Sequence, residues 1–256
     1  MRMIFDTHAH YDDRSFDEDR DELLASLKDN GVGTVINVGA SWRGCEAAVD
    51  LSHKWDFIYA AVGLHPDEVG CLDDQKMEQL KKWAMEEQKV VAIGEIGLDY
   101  HNDVEAHDVQ QEWFVRQMEL ANEVGLPIAV HSRDAAQDTW DLVSAHKGDA
   151  RGVIHAFSAS AEMAKRYIDL GYYIGMGGVV TFKNGKKAKE VIAQIPLDYV
   201  ILETDAPYLS PDPFRGRRND STRLIYVARM IASLKGVTEE EVIETTEQNA
   251  RELFQI

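Results

Sequence analysis

The sequence contains little cysteine, because Cys45 and Cys71 are the two thiols among its 256 residues. They form no Cys-x-x-Cys pair, which argues against a disulfide framework and against a zinc knuckle. A chain of this length buries roughly three quarters of the surface that its unfolded form would expose, so its core needs neither disulfides nor a structural metal for stability. We therefore expect a protein of a reducing compartment, in which any bound metal is free to serve chemistry.

Long apolar runs are also missing. Nowhere do about 18 apolar residues follow one another, and the first residues lead into polar sequence without the apolar stretch of a signal peptide. We expect a cytoplasmic protein with no membrane partner.

Positive charge is scarce, since 27 lysine and arginine residues face 45 aspartate and glutamate residues, a net charge of −18. The electric field of a protein with this net charge repels polyanions at long range, which disfavours a protein that passively coats DNA. An enzyme acting on nucleic acid stays compatible, because bound metals and a few local cations reverse the potential inside a cleft. The same charge favours a monomer, and no obligate protein partner is evident.

Linkers and repeats of fixed period are absent as well, so we predict a single domain over residues 1–256. Short β-rich apolar runs alternate with longer segments of helical periodicity. The predicted strands are Met3–Phe5, Thr34–Val38, Ile58–Val62, Val90–Ile93, Pro127–Val130, Gly152–Ile154, Tyr172–Gly175 and Tyr199–Leu202. The predicted helices are Asp17–Asn30, Arg43–His53, Asp74–Glu87, Asp108–Val124, Ala135–His146, Ala161–Leu170, Thr222–Lys235 and Glu239–Phe254. The alternation predicts an α/β fold, a (β/α)8 TIM barrel with extra C-terminal helices, and leaves an open doubly wound sheet as the alternative.

Ligand-type side chains follow five of these strands. His8 and His10 project to one face because side chains alternate along a strand, although such a pair alone is equally compatible with a structural role. The other strand ends carry Glu95, His131, His155 and Asp205. A carboxylate at the end of a buried strand is costly unless it is paired or bound to metal. The six groups together therefore predict a metal site.

Imidazole and carboxylate ligands suit divalent metals, and two such ions about 3.5–4 Å apart need a shared carboxylate. We expect two ions, with Mg, Mn and Zn all open, and with Glu95 bridging them. The expected division is His8, His10, Glu95 and Asp205 around one ion, and Glu95, His131 and His155 around the other. Asp205 and Glu95 are the expected catalytic residues, with Asp205 accepting a proton from water.

Several ordered segments give the chain a specific resemblance. They are Phe5–His10, Gly63–Pro66, Gly94–Tyr100, Glu203–Leu209, Arg215–Asn219 and Asn249–Phe254. With them the sequence resembles the TatD family of metal-dependent hydrolases over nearly its whole length. The resemblance implies a TIM barrel of the amidohydrolase superfamily and a divalent-metal-dependent deoxyribonuclease, in some members a 3′ to 5′ exonuclease. Its metal positions match the six residues named above.

The sequence departs from the family after the eighth strand. Where the family commonly reads Arg-Asn-Glu-Pro, this chain has Arg218-Asn219-Asp220-Ser221. The departure bears on the shape of that loop and on the range of substrates, and leaves the metal residues unchanged.

Substrate contacts are predicted from His65 after the third strand, Arg133 after the fifth and Arg217 after the eighth. A lysine group after the seventh strand, Lys183, Lys186, Lys187 and Lys189, lies where TIM barrels often bind phosphate, but it is equally typical of a solvated helix face. The expected substrate is DNA, as single strands or 3′ ends.

Two other functions stay open. The same barrel and metal pair serve hydrolysis of small esters, amides or lactones, and a scaffold could bind metal without catalysis. A polyanion substrate would make the Michaelis constant rise steeply with ionic strength, whereas a small neutral substrate would not.

Overall fold

A computed structural model describes residues 3–102 and 104–256 of the chain. Eight parallel strands follow one another around a single sheet in the order of the sequence, each paired with the next. The strands are β1 (Ile4–Ala9), β2 (Val32–Val38), β3 (Ile58–Val62), β4 (Val90–Asp99), β5 (Ile128–Arg133), β6 (Gly152–Ile154), β7 (Tyr173–Met176) and β8 (Val200–Leu202). Helices alternate with them, so the (β/α)8 barrel is confirmed and the doubly wound alternative is excluded.

The α-helices that the structure describes surround the sheet. They are α1 (Arg20–Ser26), α2 (Trp42–Lys54), α3 (Asp74–Glu86), α4 (His107–Val124), α5 (Ala136–His146), α6 (Ala161–Asp169), α7 (Lys186–Gln194), α8 (Leu224–Lys235) and α9 (Glu239–Phe254). Their ends follow local chemistry: Ser41 and Asp73 accept backbone N–H groups at the starts of α2 and α3. Gly125 ends α4 with φ of +71°, in the left-handed region that glycine adopts without steric cost.

The observed elements depart from the predicted ones most clearly at β4, α1 and α7. β4 continues to Asp99 because residues beyond Ile93 pair with β5, although their glycines and acids break the apolar pattern. α1 is shorter than predicted because the guanidinium of Arg20 binds the carbonyl of Tyr11 and holds the preceding residues in a turn. α7 was not predicted.

The seam between β1 and β8 closes the barrel without a regular ladder. The backbone N–H of His10 donates to Ala206 O at 2.7 Å, and that of Asp205 donates to His8 O at 2.8 Å. Beneath them, the carboxylate of Asp6 accepts hydrogen bonds from the backbone N–H and the hydroxyl of Thr204. The seam therefore fixes His8, His10 and Asp205 against one another.

No helix within the described ranges is long and apolar enough to cross a membrane.

Candidate metal centre

The end of β1 brings two imidazoles to one point. The Nε2 atoms of His8 and His10 lie 3.2 Å apart, and both rings are buried. The Nδ1 atom of His10 lies 2.8 Å from Val38 O, so it carries a proton and Nε2 is the atom of this ring that could bind a metal ion. Because the two Nε2 atoms face each other, one cation between them could bind both rings.

Glu95 on β4 has one oxygen toward each half of the site. Its Oε2 lies 3.4 Å from Nε2 of His8 and 3.7 Å from Nε2 of His10, whereas its Oε1 lies 2.8 Å from Nδ1 of His131. Its carboxylate is buried and its backbone N–H donates to Gly39 O at 2.8 Å. This geometry suits a carboxylate shared between two ions.

His131 on β5 lies between two carboxylates. Its Nε2 is 3.2 Å from Oδ2 of Asp99, at the end of β4, opposite the contact with Glu95. Oδ1 of Asp99 accepts the backbone N–H groups of His101 and Asn102. Asp99 is thus itself held in place, and it orients the imidazole of His131 toward Glu95.

His155 follows β6, and Glu203 contacts its imidazole at Nδ1. Nδ1 of His155 lies 3.2 Å from Oε2 of Glu203, whose Oε1 accepts the backbone N–H of Ala156. A Cβ at Gly175 on β7 would overlap the Glu203 carboxylate, so glycine makes the room for it. Nε2 of His155 is thereby left to the centre of the site, 3.6 Å from Oδ1 of Asp205.

Asp205 reaches the same centre from the end of β8. Its backbone has φ of +58°, a conformation that is uncommon outside glycine and asparagine. Its Oδ1 lies 3.4 Å from Nε2 of His10 and 3.6 Å from Nε2 of His155. Burial acts to raise the pKa of the Asp205 carboxyl, but the contacts with His10 and His155 outweigh it and lower that pKa, so the group is ionised at neutral pH.

The donor set fits divalent cations. Ligands about 2.1 Å from a shared ion lie about 3.0 to 3.4 Å from one another in octahedral or tetrahedral geometry. The contacts of His8 and His10 with each other and with Glu95, and of His10 with Asp205, fall between 3.2 and 3.7 Å. The Nδ1 atom of His8 is buried with no hydrogen-bond partner among the described residues, as expected of a ring whose position depends on something besides protein contacts. Burial also lowers the pKa of His8 and keeps it neutral, the form that binds metal.

Three imidazoles of the site, those of His10, His131 and His155, are held by carboxylates strongly enough to stay protonated when no ion competes. Burial opposes protonation of His10, yet the hydrogen bond with Asp205 raises its pKa to about 9. Burial opposes protonation of His131, yet the hydrogen bonds to Asp99 and Glu95 raise its pKa to about 9. Burial likewise opposes protonation of His155, and the charge of Glu203 raises its pKa to about 10. The cluster thus collects positive charge at its centre, whether as protons or as metal ions.

All six predicted metal ligands converge, and their division between two ions stays a prediction. Nε2 of His155 lies 3.9 Å from Oε1 of Glu95, the oxygen that faces His131. His155 stacks on His8, with ring centroids 3.5 Å apart, and its ring centroid is 6.4 Å from that of His131. The groups whose ligand atoms lie within 4.8 Å of one another include His8, His155 and Asp205, then His8, His10 and Glu95, then His65, Glu95 and His131. His65, predicted as a substrate contact, therefore lies close enough to His131 and Glu95 to be a ligand.

Sequence reasoning missed two buried acids of this site. Asp99 lies at the end of the extension of β4 that the apolar pattern did not show. Asp6 lies two residues before His8, and its fully buried carboxylate joins β1 to β8. Burial raises the pKa of Asp6 to about 6 against the opposing hydrogen bonds from Ser221 and Thr204. The signal was available, since an acid inside an apolar run is costly without partners.

Among the described residues, the lysine and arginine side chains that have no partner share one end of the barrel. Across the part of the chain that the structure describes, seven lysine and arginine side chains make no hydrogen bond, ion pair or ring contact. Each of the seven lies at the carboxyl end of a strand, in the loop that follows it, or in the first turn of the next helix. They are Arg14, Arg43, Arg133, Lys183, Lys186, Lys187 and Arg217. Since the carboxyl ends of the strands open onto one face of a barrel, we refer to these residues as the cationic rim.

The two predicted arginine contacts, Arg133 and Arg217, both belong to this rim and are exposed. Their neighbours Arg215 and Arg218 do not. The guanidinium of Arg215 lies over the ring of Phe182, and that of Arg218 binds the carboxylate of Asp19.

Comparison with known proteins agrees with this arrangement. A sequence model of the family described as TatD related DNase matches residues 5–255. The chain belongs to the TatD family. The uncharacterized metal-dependent hydrolase YabD of Bacillus subtilis is 42% identical over 255 residues, which cover 99% of this chain and 100% of that protein. The 3′-5′ ssDNA/RNA exonuclease TatD of Cronobacter sakazakii is 31% identical, over 98% of this chain and 97% of that protein.

Among solved structures, the TatD homologue YjjV of Escherichia coli K12 superposes with a TM-score of 0.93 at 32% identity, over 99% of this chain and 98% of that one. The resemblance of the sequence is thereby confirmed. The chain is a metal-dependent hydrolase of the TatD family.

Proposed function

We propose that this hydrolase cleaves phosphodiester bonds of nucleic acid, as a deoxyribonuclease that removes nucleotides from the 3′ end of single-stranded DNA. The cationic rim is the observation that carries the proposal. A chain with a net charge of −18 places all of its unpaired described cations at the end of the barrel that holds the candidate metal centre. A small neutral ester would gain nothing from that distribution, whereas a polyanion needs it.

The chemistry follows from the donor set. Two divalent ions, when bound, polarise a phosphoryl oxygen and make water more acidic. His8, His10, Glu95, His131, His155 and Asp205 would hold them, with Glu95 shared and with His65 beside His131 as a further ligand. The carboxylate of Asp205 is ionised and faces the centre, so it orients the attacking water and accepts its proton.

The rim positions the rest of the strand. Arg133 ends β5 and Arg217 lies in the loop after β8, and their guanidinium groups have no partner among the described residues, so they are free to bind phosphates in a bidentate manner. Since each phosphate contact releases counterions, several such contacts give binding that weakens steeply with salt. The relative named as a 3′-5′ exonuclease supports the direction of digestion.

The test is incubation of metal-loaded protein with single-stranded DNA labelled at the 3′ or the 5′ end, in Mg²⁺, Mn²⁺ or Zn²⁺. We expect rapid loss of the 3′ label as mononucleotide, a slowly shortening ladder from the 5′ label, and a Michaelis constant that rises steeply with ionic strength. Asp205→Asn should be inactive, and Asp198→Asn, at an exposed position before β8, is the matched control that should be active.

Two results would overturn the proposal. One is no release of nucleotide with any of the three metals. The other is hydrolysis of a p-nitrophenyl ester or a lactone with an efficiency that exceeds DNA cleavage and does not change with salt.

A further inference from the structure

A cavity of about 300 Å³ opens beside the candidate metal centre. It lies between the ends of β5 and β6 and the helices α6 and α7. The ring of His155 forms part of its wall, so a group bound in the cavity is separated by one imidazole from the centre where Glu95 and Asp205 meet. The cavity therefore adjoins the site and does not contain the predicted catalytic acids.

The floor of the cavity is apolar and partly aromatic. Phe157, Met163 and Tyr167 line it, and the rings of Phe157 and Tyr167 meet edge to face with centroids 6.4 Å apart. Phe157 and Tyr167 are both buried in the main core, which makes their surfaces rigid. A rigid floor of this kind binds flat, apolar faces in preference to charged groups.

The mouth of the cavity is polar. Lys187, a member of the cationic rim, lines it together with the exposed Ser158 and with Asp134. Oδ2 of Asp134 lies 2.8 Å from Nδ1 of His101, and Lys187 forms no ion pair with this carboxylate. The ammonium group is free for an anionic part of a ligand, and the Ser158 hydroxyl is free for the polar edge of a ring.

We propose that this cavity is a subsite for one nucleobase of the substrate, the base attached to a nucleotide at the scissile phosphate. The inference rests on the proposed function and adds that the chain recognises a base of the nucleotide as well as its phosphate. An apolar floor, a polar edge and a free cation match the flat face, the hydrogen-bonding edge and the phosphate of a nucleotide. Because every base has a flat face, this subsite favours nucleotides over sugar phosphates without selecting one sequence.

The experiment is an abasic scan. A series of single-stranded oligonucleotides carries one tetrahydrofuran residue at successive positions from the 3′ end, and kcat/KM is measured for each bond. In the wild type, we expect removal of the base at one position next to the scissile bond to lower kcat/KM by roughly tenfold, and removal elsewhere to change it much less. Equal cleavage of all the oligonucleotides would contradict the subsite and leave the nuclease proposal intact.

Two tryptophan variants locate the effect. Ser158→Trp places an indole at the mouth of the cavity, and we expect the ratio between intact and abasic substrates to fall toward one. Ser144→Trp is the matched control, because Ser144 is exposed near the carboxyl end of α5, whereas Ala136 at the start of α5 lines the cavity. This variant should retain the wild-type ratio. If Ser158→Trp keeps the full ratio while its melting temperature is unchanged, the base binds elsewhere and the inference is wrong.

Binding measurements separate this inference from the proposed function. Calorimetry with adenosine 5′-monophosphate and with ribose 5-phosphate compares a ligand that has a base with one that has none. We expect the wild type to bind the nucleotide at least fivefold more tightly, and Ser158→Trp to bind the two alike. A chain that cleaves no DNA but shows this preference would refute the nuclease and keep the subsite, whereas equal affinities in the wild type would refute the subsite.

Discussion

Oγ of Ser221 donates a hydrogen bond of 2.6 Å to Oδ2 of Asp6, across 215 positions of sequence. The hydroxyl of Tyr11 lies 2.7 Å from the same Oγ and accepts the backbone N–H of Ser221 at 2.9 Å. Proline, which the family commonly has here, offers neither the hydroxyl nor the N–H. The departure noted in the sequence therefore adds hydrogen bonds to the seam that positions His8 and Asp205.

Ser221→Ala tests this seam. The change leaves a buried carboxylate short of one donor, so we expect the free energy of unfolding to fall by about 2 kcal/mol and the melting temperature by several degrees. Ser144→Ala, on an exposed helix face, should change stability by no more than about 0.5 kcal/mol. Equal melting temperatures for the two variants would show that the bond to Asp6 contributes nothing.

Asp205→Asn separates catalysis from folding. The amide cannot accept the proton that the carboxylate takes from water, so kcat should fall by roughly 10²–10⁴-fold. Its size is the same and its backbone contact with His8 O is kept, so the circular dichroism spectrum should match that of the wild type. Activity close to that of the wild type would remove Asp205 from the mechanism.

Asp99→Asn tests the group behind His131. The side-chain amide can still accept the N–H groups of His101 and Asn102 through its oxygen, but it offers His131 no carboxylate. We expect the affinity for Mn²⁺ to weaken by about 10- to 100-fold in calorimetric titration. Asp169→Asn at the end of α6 is the control, and an unchanged affinity in Asp99→Asn would show that His131 is positioned without Asp99.

The two thiols should differ in reactivity. Burial raises the pKa of Cys45 to about 12 from a usual value of 9.0, whereas Cys71 is exposed. At pH 8 a disulfide reagent such as Ellman's should label one thiol in the folded chain and two after unfolding. In Cys71→Ser, labelling of the folded chain should disappear, and rapid labelling there would mean that Cys45 is accessible.

The same shift predicts the sign of a pH effect. The folded chain holds the proton of Cys45 more tightly than the unfolded chain does. The protonated thiol therefore makes its full contribution to the free energy of unfolding below pH 9, and that contribution is lost as pH rises toward 12. In Cys45→Ala, the alkaline loss of melting temperature should be smaller than in the wild type. An identical alkaline profile would contradict the raised pKa.

The sequence predicted the barrel and the convergence of the metal ligands because both depend on local patterns. Apolar runs mark strands, and parallel strands deliver their last residues to one face. The stacking of the His155 ring on that of His8 depends on packing around Glu203 and Gly175, which no local pattern records. The cationic rim was also beyond reach as a whole, since it is defined by which cations lack partners, and ion pairs such as that of Arg218 with Asp19 join distant segments.

The most direct test of the account is a crystal structure of the chain grown with Mn²⁺ and measured with anomalous scattering. The account predicts two peaks about 3.5–4 Å apart, one beside each oxygen of Glu95, with His8 and His10 at one peak and His131 at the other. A map with no peak between these side chains, or with manganese bound only at the surface, would contradict it.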